Sequence, residues 1–156
     1  MTEGEKTRLI AWSNELRGVH ERLREALTIV QTALESGEPA EIAGRDMLLF
    51  CHGFCTALTG HHEGEDRVLF PALADAYPEL RETLQYLTQD HSMIAHLITS
   101  MEAAVNSSAT PAELALHLEG LAAIMENHFR YEERRLLPAL ESLILDADPR
   151  SALGPL

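Results

Sequence analysis

The chain has 156 residues and a formal net charge of -13, from 25 acidic against 12 basic side chains. A surface of that sign repels phosphate backbones and argues against a nucleic-acid partner. Hydrophobic residues make up 46% of the chain but aromatics only 5%. That Leu- and Ala-rich mix suits packed helices better than sheets, in a chain long enough for one domain with its own core.

No apolar run is long enough to span a bilayer, and the opening MTEGEKTRLI has no basic flank leading into an apolar core. Neither a membrane anchor nor a secretory signal is expected. Cys51 and Cys55 stand four apart and make no disulfide framework, which fits a cytoplasmic location. Both read as small apolar core residues.

Four segments carry apolar residues at alternating three- and four-residue steps, the stripe of an amphipathic helix facing a core. The first runs Leu9, Trp12, Leu16, Val19, Leu23, Leu27, Val30, Leu34, with Trp12 as a core anchor at the helix end. Ser36-Gly37-Glu38-Pro39 ends it. The second runs Cys51, Phe54, Leu58, His61, Glu65, Val68 and stops before Ala76-Tyr77-Pro78. The third runs Leu80, Leu84, Leu87, His91, Ile94, Ile98, Met101, Val105. Thr110-Pro111-Ala112-Glu113 then reads as a capping box opening the fourth, Leu114, His117, Leu121, Ile124, His128, Glu132.

Short loops between long helices predict an all-α, antiparallel up-down-up-down four-helix bundle over residues 1–147. Residues 148–156 are expected to form a flexible tail. Pro71 and Pro138 are each expected to kink or end their helix.

The stripes are interrupted where polar residues should not be buried without partners. His20 lies between Leu16 and Leu23, and His91 between Leu87 and Ile94. His61 and Glu65 follow Leu58, and His128 and Glu132 follow Ile124. The last two pairs belong to one phrase written twice, HHEGEDRVLFPAL at 61–73 and HFRYEERRLLPAL at 128–140. A histidine and a glutamate four apart lie about 40° apart in azimuth and roughly 6 Å apart in rise, so both can reach one metal ion.

The lone histidines fall near the middle of their helices, so His20, His61, Glu65, His91, His128 and Glu132 share one depth in an antiparallel bundle. Imidazole plus carboxylate suits iron, manganese or zinc. His62 and Asp66 are also four apart, but counting ten back from Pro71 and Pro138 selects His61 and His128. That leaves His62, Asp66 and Glu133 as flanking groups. His117, about 16 Å along the axis from His128, His52 on the face opposite His61, and His96 pointing away from His91 fall outside the set.

The whole pattern, a lone His, then HxxxE, a lone His, then HxxxE, resembles the hemerythrin-like, or HHE cation-binding, domains from about residue 10 to about 145. The resemblance implies a non-haem di-iron centre, oxo- or hydroxo- and carboxylate-bridged, with zinc or manganese as possible substitutes. It puts His20 and His61 on one iron, His91 and His128 on the other, and Glu65 and Glu132 between them. It implies that O2, NO or peroxide is the partner, with catalase- or peroxidase-like turnover. The alternatives are an iron- or oxygen-sensing regulatory bundle without catalysis, or a metal-independent interaction domain.

One position departs from the oxygen-carrying members, which place a further His where this chain has Ala95. The His91/His128 iron would then lack a protein ligand. Water, His96, Glu133 or a nearby tyrosine are candidates to fill the place. If it stays open, reaction is favoured over simple reversible carriage.

Overall fold

The computed structural model describes residues 11–35, 53–107 and 109–155, and among them every regular element is helical. Helix α1 is Trp12–Glu35. Its inward stripe is the predicted one, with Trp12, Leu16, Val19, Leu23, Leu27 and Val30 buried. Leu9, Cys51, His52 and the 36–39 turn lie outside the described residues.

Helix α2 is described from 53 and runs to Ala76, yet it is not one regular α-helix. Residues Glu65–Leu69 form a π turn, closed by the Phe70 N–H donating to the Glu65 carbonyl. Pro71 accounts for the defect. It has no N–H, and in a regular helix its ring would crowd the carbonyl four residues back. One inserted residue widens the turn and relieves that crowding. The helix therefore passes through Pro71 rather than stopping there. The insertion also lets the adjacent Leu69 and Phe70 both be buried.

A 3-10 turn, Pro78–Leu80, leads into α3, Arg81–Asn106. Helix α4 is Pro111–Leu140. The predicted capping box is present: Thr110 accepts from the Glu113 N–H at 3.2 Å, and Glu113 accepts from the Thr110 N–H at 3.3 Å. Such a cap contributes about 1 kcal/mol. Pro138 lies inside α4, which ends shortly after it at Leu140.

Helix α4 packs against α3 and α1, and the last segment of α2 packs against α3. Core side chains from all four long helices join one apolar cluster. The Trp12 indole N–H donates to the Leu145 carbonyl at 3.2 Å and ties the start of α1 to the chain leaving α4. None of the described helices is long and apolar enough to cross a membrane.

The chain end departs from the expected flexible tail. Residues Pro149–Leu153 form a short helix, α5, that packs on α1 and on the π turn of α2. Asp148 caps it by accepting from the Arg150 N–H at 3.0 Å, and Ala152 and Leu153 are buried. Gly154 ends it at φ +88°, a conformation L side chains rarely adopt.

Two glycines make this docking possible. A Cβ on Gly154 would lie 2.5 Å from the His61 backbone nitrogen, and one on Gly64 would lie 2.9 Å from the Ser151 carbonyl oxygen. With no side chains there, two backbones approach closely enough to bury Ala152 and Leu153. The helix end carries no apolar stripe, and this is why periodicity alone does not reveal it.

Candidate metal centre

Each long helix brings one of the predicted histidines to a common interior: His20 from α1, His61 from α2, His91 from α3 and His128 from α4. Glu65 of α2 and Glu132 of α4 complete the set, and all six are at most 4% exposed. Their donor atoms form two adjoining groups, His20 with His61 and Glu132, and His91 with His128, Glu65 and His62. Within each group the atoms lie within 4.8 Å of one another.

The two carboxylates stand between the groups. Glu65 Oε1 is 3.2 Å from His61 Nε2 and 3.4 Å from His91 Nε2. Glu132 is 3.6 Å from His20 Nε2 and 3.1 Å from His128 Nε2. Each carboxylate thus touches one imidazole of either group.

Those contacts are close but lack hydrogen-bond geometry. The Nε2 atoms of His20, His61, His62, His91 and His128 have no hydrogen-bond partner among the described residues. Neither do both oxygens of Glu65 and of Glu132. Leaving a single buried polar group unsatisfied costs about 1–3 kcal/mol, so a concentration of orphans at one point demands a common partner. Nitrogen and carboxylate lone pairs aimed at shared points fit a divalent or trivalent cation, and the residues present therefore fit a metal centre.

The outer edges of the same rings are satisfied. His20 Nδ1 lies 3.1 Å from Glu133 Oε1, His91 Nδ1 2.8 Å from Asp66 Oδ1, and His128 Nδ1 3.1 Å from Asp90 Oδ2. His61 Nδ1 lies 2.8 Å from the Leu153 carbonyl oxygen. A carbonyl can only accept, so His61 Nδ1 carries the proton and its Nε2 lone pair faces the interior. Carboxylates impose the same tautomer on the other three rings, the outer-partner arrangement that orients metal-binding imidazoles. The docked chain end is thus part of the site, because it supplies the acceptor for His61. Arg24 holds Glu133 in turn with two bonds of 2.9 and 3.1 Å, and reaches Glu126 at 2.9 Å.

Without a cation the cage shares protons instead. Burial, then the charge of Glu132, pushes the Glu65 carboxyl well above the usual carboxylate range. Burial opposes the charge on Glu132 too, but Glu65, His128 and His20 beside it outweigh burial and hold it well below that range. His20 and His128 are raised against the opposing effect of burial, His20 by Glu132 and Glu133 and His128 by Glu132 and Asp90. His61 is lowered to about 3, by burial first and then by the charge of His20. A cation among these groups would replace the positive charge that the protons provide.

The flanking residues divide. Asp66 and Glu133 lie outside the cage as expected, each facing a histidine Nδ1. Glu133, considered as a fallback ligand, is instead committed to Arg24 and His20. Burial, which raises its pKa, is overcome by these two partners, and the carboxyl falls to about 2.

His62, which counting back from the prolines sets among the flanking groups, is turned inward. It is 6% exposed and its Nε2 is among the orphaned donors. Adjacent helix positions differ by about 100° in azimuth. His61 therefore meets His20 on one side, with centroids 5.2 Å apart, while His62 meets His91 on the other, at 3.9 Å. The signal in the sequence was the doubled histidine itself. A helix between two neighbours can turn one imidazole to each.

Of the other groups considered near Ala95, His96 is exposed, as is His117 further along α4. Tyr86 is 51% exposed and bonds Glu82, while the Tyr131 ring lies beneath the Arg134 and Arg135 guanidiniums.

The chain matches the family model for the hemerythrin HHE cation binding domain over residues 13–140. No curated protein and no solved structure matches it.

Proposed function

The chain belongs to the hemerythrin HHE cation-binding family, and from that premise we propose that it is a non-haem di-iron protein acting on O2, peroxide or NO. The observation that carries this reading is the convergence of His20, His61, Glu65, His91, His128 and Glu132 in a buried cage. Its inward donors have no partner among the described residues, while the outer nitrogen of each of these histidines has one. His20 and His61 would hold one iron, His91 and His128 the other, and Glu65 and Glu132 would bridge them. Zinc or manganese could take the same donors. The four main helices are taken to run up-down-up-down, which sets one histidine of each at a single depth.

Two iron ions in this cage would supply the redox equivalents for reversible O2 binding or for peroxide or NO chemistry. The protein's share is positional. Four outer acceptors hold the Nδ1 protons, so each of these rings turns its Nε2 toward the interior. Leu16, Leu58 and Leu87, each within a turn of a cage histidine on its own helix, are fully buried, as is Phe129, which stacks on His20 at 4.0 Å. That apolar surface excludes bulk water and admits small neutral molecules. None of the cage residues is needed as a covalent nucleophile.

The test is anaerobic loading with Fe2+, followed by metal analysis and near-ultraviolet spectra before and after O2, NO or H2O2. The proposal expects two irons per chain, a spectrum that changes with at least one of these ligands, and O2 evolution if peroxide is turned over. An iron-loaded chain inert to all three would remove the reactive reading.

A second reading, a metal-dependent regulatory bundle, has one observation in its favour: the Leu153 carbonyl ties the chain end to His61. Loss of metal would loosen that tie and free the C-terminal segment. If so, chelation would speed proteolysis after residue 147 and leave the remainder intact. Equal cleavage rates with and without metal would remove this reading.

A further inference from the structure

We propose that His62 is a third imidazole ligand of the metal held by His91 and His128, supplying the donor that α3 lacks at Ala95. The inference rests on the metal-centre reading above and extends its ligand set by one residue.

His62 follows His61 on α2 but faces α3 and α4, with its ring 3.9 Å from that of His91 and 5.2 Å from that of His128. A ring nitrogen of His62 falls within 4.8 Å of donor atoms of Glu65, His91 and His128. Ala95, one turn beyond His91, lines the same cavity of about 190 Å³ as His62, His91 and Asp66, and brings no donor to it.

Energetics argues against a role in packing alone. His91 is already held by Asp66 through Nδ1 at 2.8 Å, and Phe70 lies nearly parallel to its ring at 5.5 Å. A second stacking partner for His91 needs only an apolar ring. Histidine at this place leaves Nε2 buried with no hydrogen-bond partner among the described residues, a cost that Phe or Leu would not incur. The nitrogen is explained if a cation completes it.

The assignment makes the two halves of the cage unequal. The His91/His128 half has three imidazoles and the His20/His61 half has two. Neither half depends on a donor at position 95.

Anaerobic titration with Co2+, and with Fe2+, tests the assignment through stoichiometry and the Co2+ visible spectrum. His62→Phe keeps the stacked ring and removes the nitrogen. His62→Ala removes both and leaves room for free imidazole. Wild type should load two ions per chain. His62→Phe should load the first with affinity within about threefold of wild type and the second at least tenfold more weakly, the scale on which even outer partners of metal ligands act. Its Co2+ spectrum should lose the contribution of one site. Imidazole added to His62→Ala should restore the second ion.

Two ions bound by His62→Phe at wild-type affinity, or no recovery of His62→Ala with imidazole, would overturn the assignment. A wild-type chain taking up no Co2+ or Fe2+ is a different result, since it removes the metal-centre reading itself and the role of His62 with it.

Discussion

The two halves of the cage begin from the same phrase and end unlike one another. The His20/His61/Glu132 half is held from far along the chain. Its outer acceptors are Glu133, pinned by Arg24, and the Leu153 carbonyl of the docked chain end. The His62/His91/His128/Glu65 half is held by Asp66 and Asp90, and it borders an open cavity. A repeated HxxxE therefore sets equivalent inner donors, while the surroundings that orient them are built separately. The first half depends on tertiary docking of the chain end as well as on Glu133 of α4; the second depends only on side chains carried by the helices themselves.

Removing what the halves share should have the largest effect. Glu132 touches His20 and His128, and Glu65 touches His61 and His91. Glu132→Ala or Glu65→Ala should abolish two-metal loading, weakening both binding steps by more than about a hundredfold, since in the proposed centre each is a direct ligand rather than an outer partner. Either variant loading two ions in an anaerobic titration would show that the carboxylates are not shared.

Breaking one half alone should come next. Truncation after Ala147 removes the His61 acceptor and should weaken one binding step by about tenfold or more, leaving the other near wild type. Asp90→Ala should do the mirror image through His128. If both variants weaken the same step, or both steps equally, the halves are not independent.

Acidity should then act on both halves alike. His20 in one and His128 in the other have raised pKa values, so each must surrender a proton before it binds metal. Competition against a chelator from about pH 8 to about pH 6 should show both steps weakening by several-fold.

Metal-free stability responds to the opposite shift. His61 is depressed to about 3, whereas the unfolded chain takes up that proton near an ordinary pKa of about 6.5. The unfolded state therefore binds more protons across that interval, and His61 contributes a loss of stability as pH falls through it. Urea denaturation of the metal-free chain should show a shallower acid slope in His61→Phe than in wild type.

The smallest effect belongs to Arg24, which acts on His20 only through Glu133. Arg24→Ala should weaken one step by only a few-fold, because Glu133 keeps its own contact with the ring. A loss as large as that from truncation would mean Arg24 holds α1 against α4 rather than tuning a ligand.

Much of this was readable in the sequence because helix periodicity is strict. Leu16, Val19, Leu23 and Leu27 on α1 announce both the helix and its buried face, and a histidine within such a stripe announces itself as an exception. The six donors followed from that logic, and the structure brings them together. The π turn did not follow, because Pro71 states that a regular helix is disfavoured without stating whether the chain will stop, kink or insert a residue.

His62 is not legible from a single register, because α2 has to serve neighbours on two sides. The docked end is hidden from periodicity for another reason. Its signals are the capping pair Asp148-Pro149 and the bare backbones of Gly64 and Gly154. Close approach of two backbones carries no hydrophobic period.

Anomalous scattering at the iron edge, from crystals of the iron-loaded chain, tests the central claim most directly. The account predicts two peaks inside the helices, one among His20, His61 and Glu132 and one among His62, His91, His128 and Glu65. No peak there, or iron only at the surface, would contradict it.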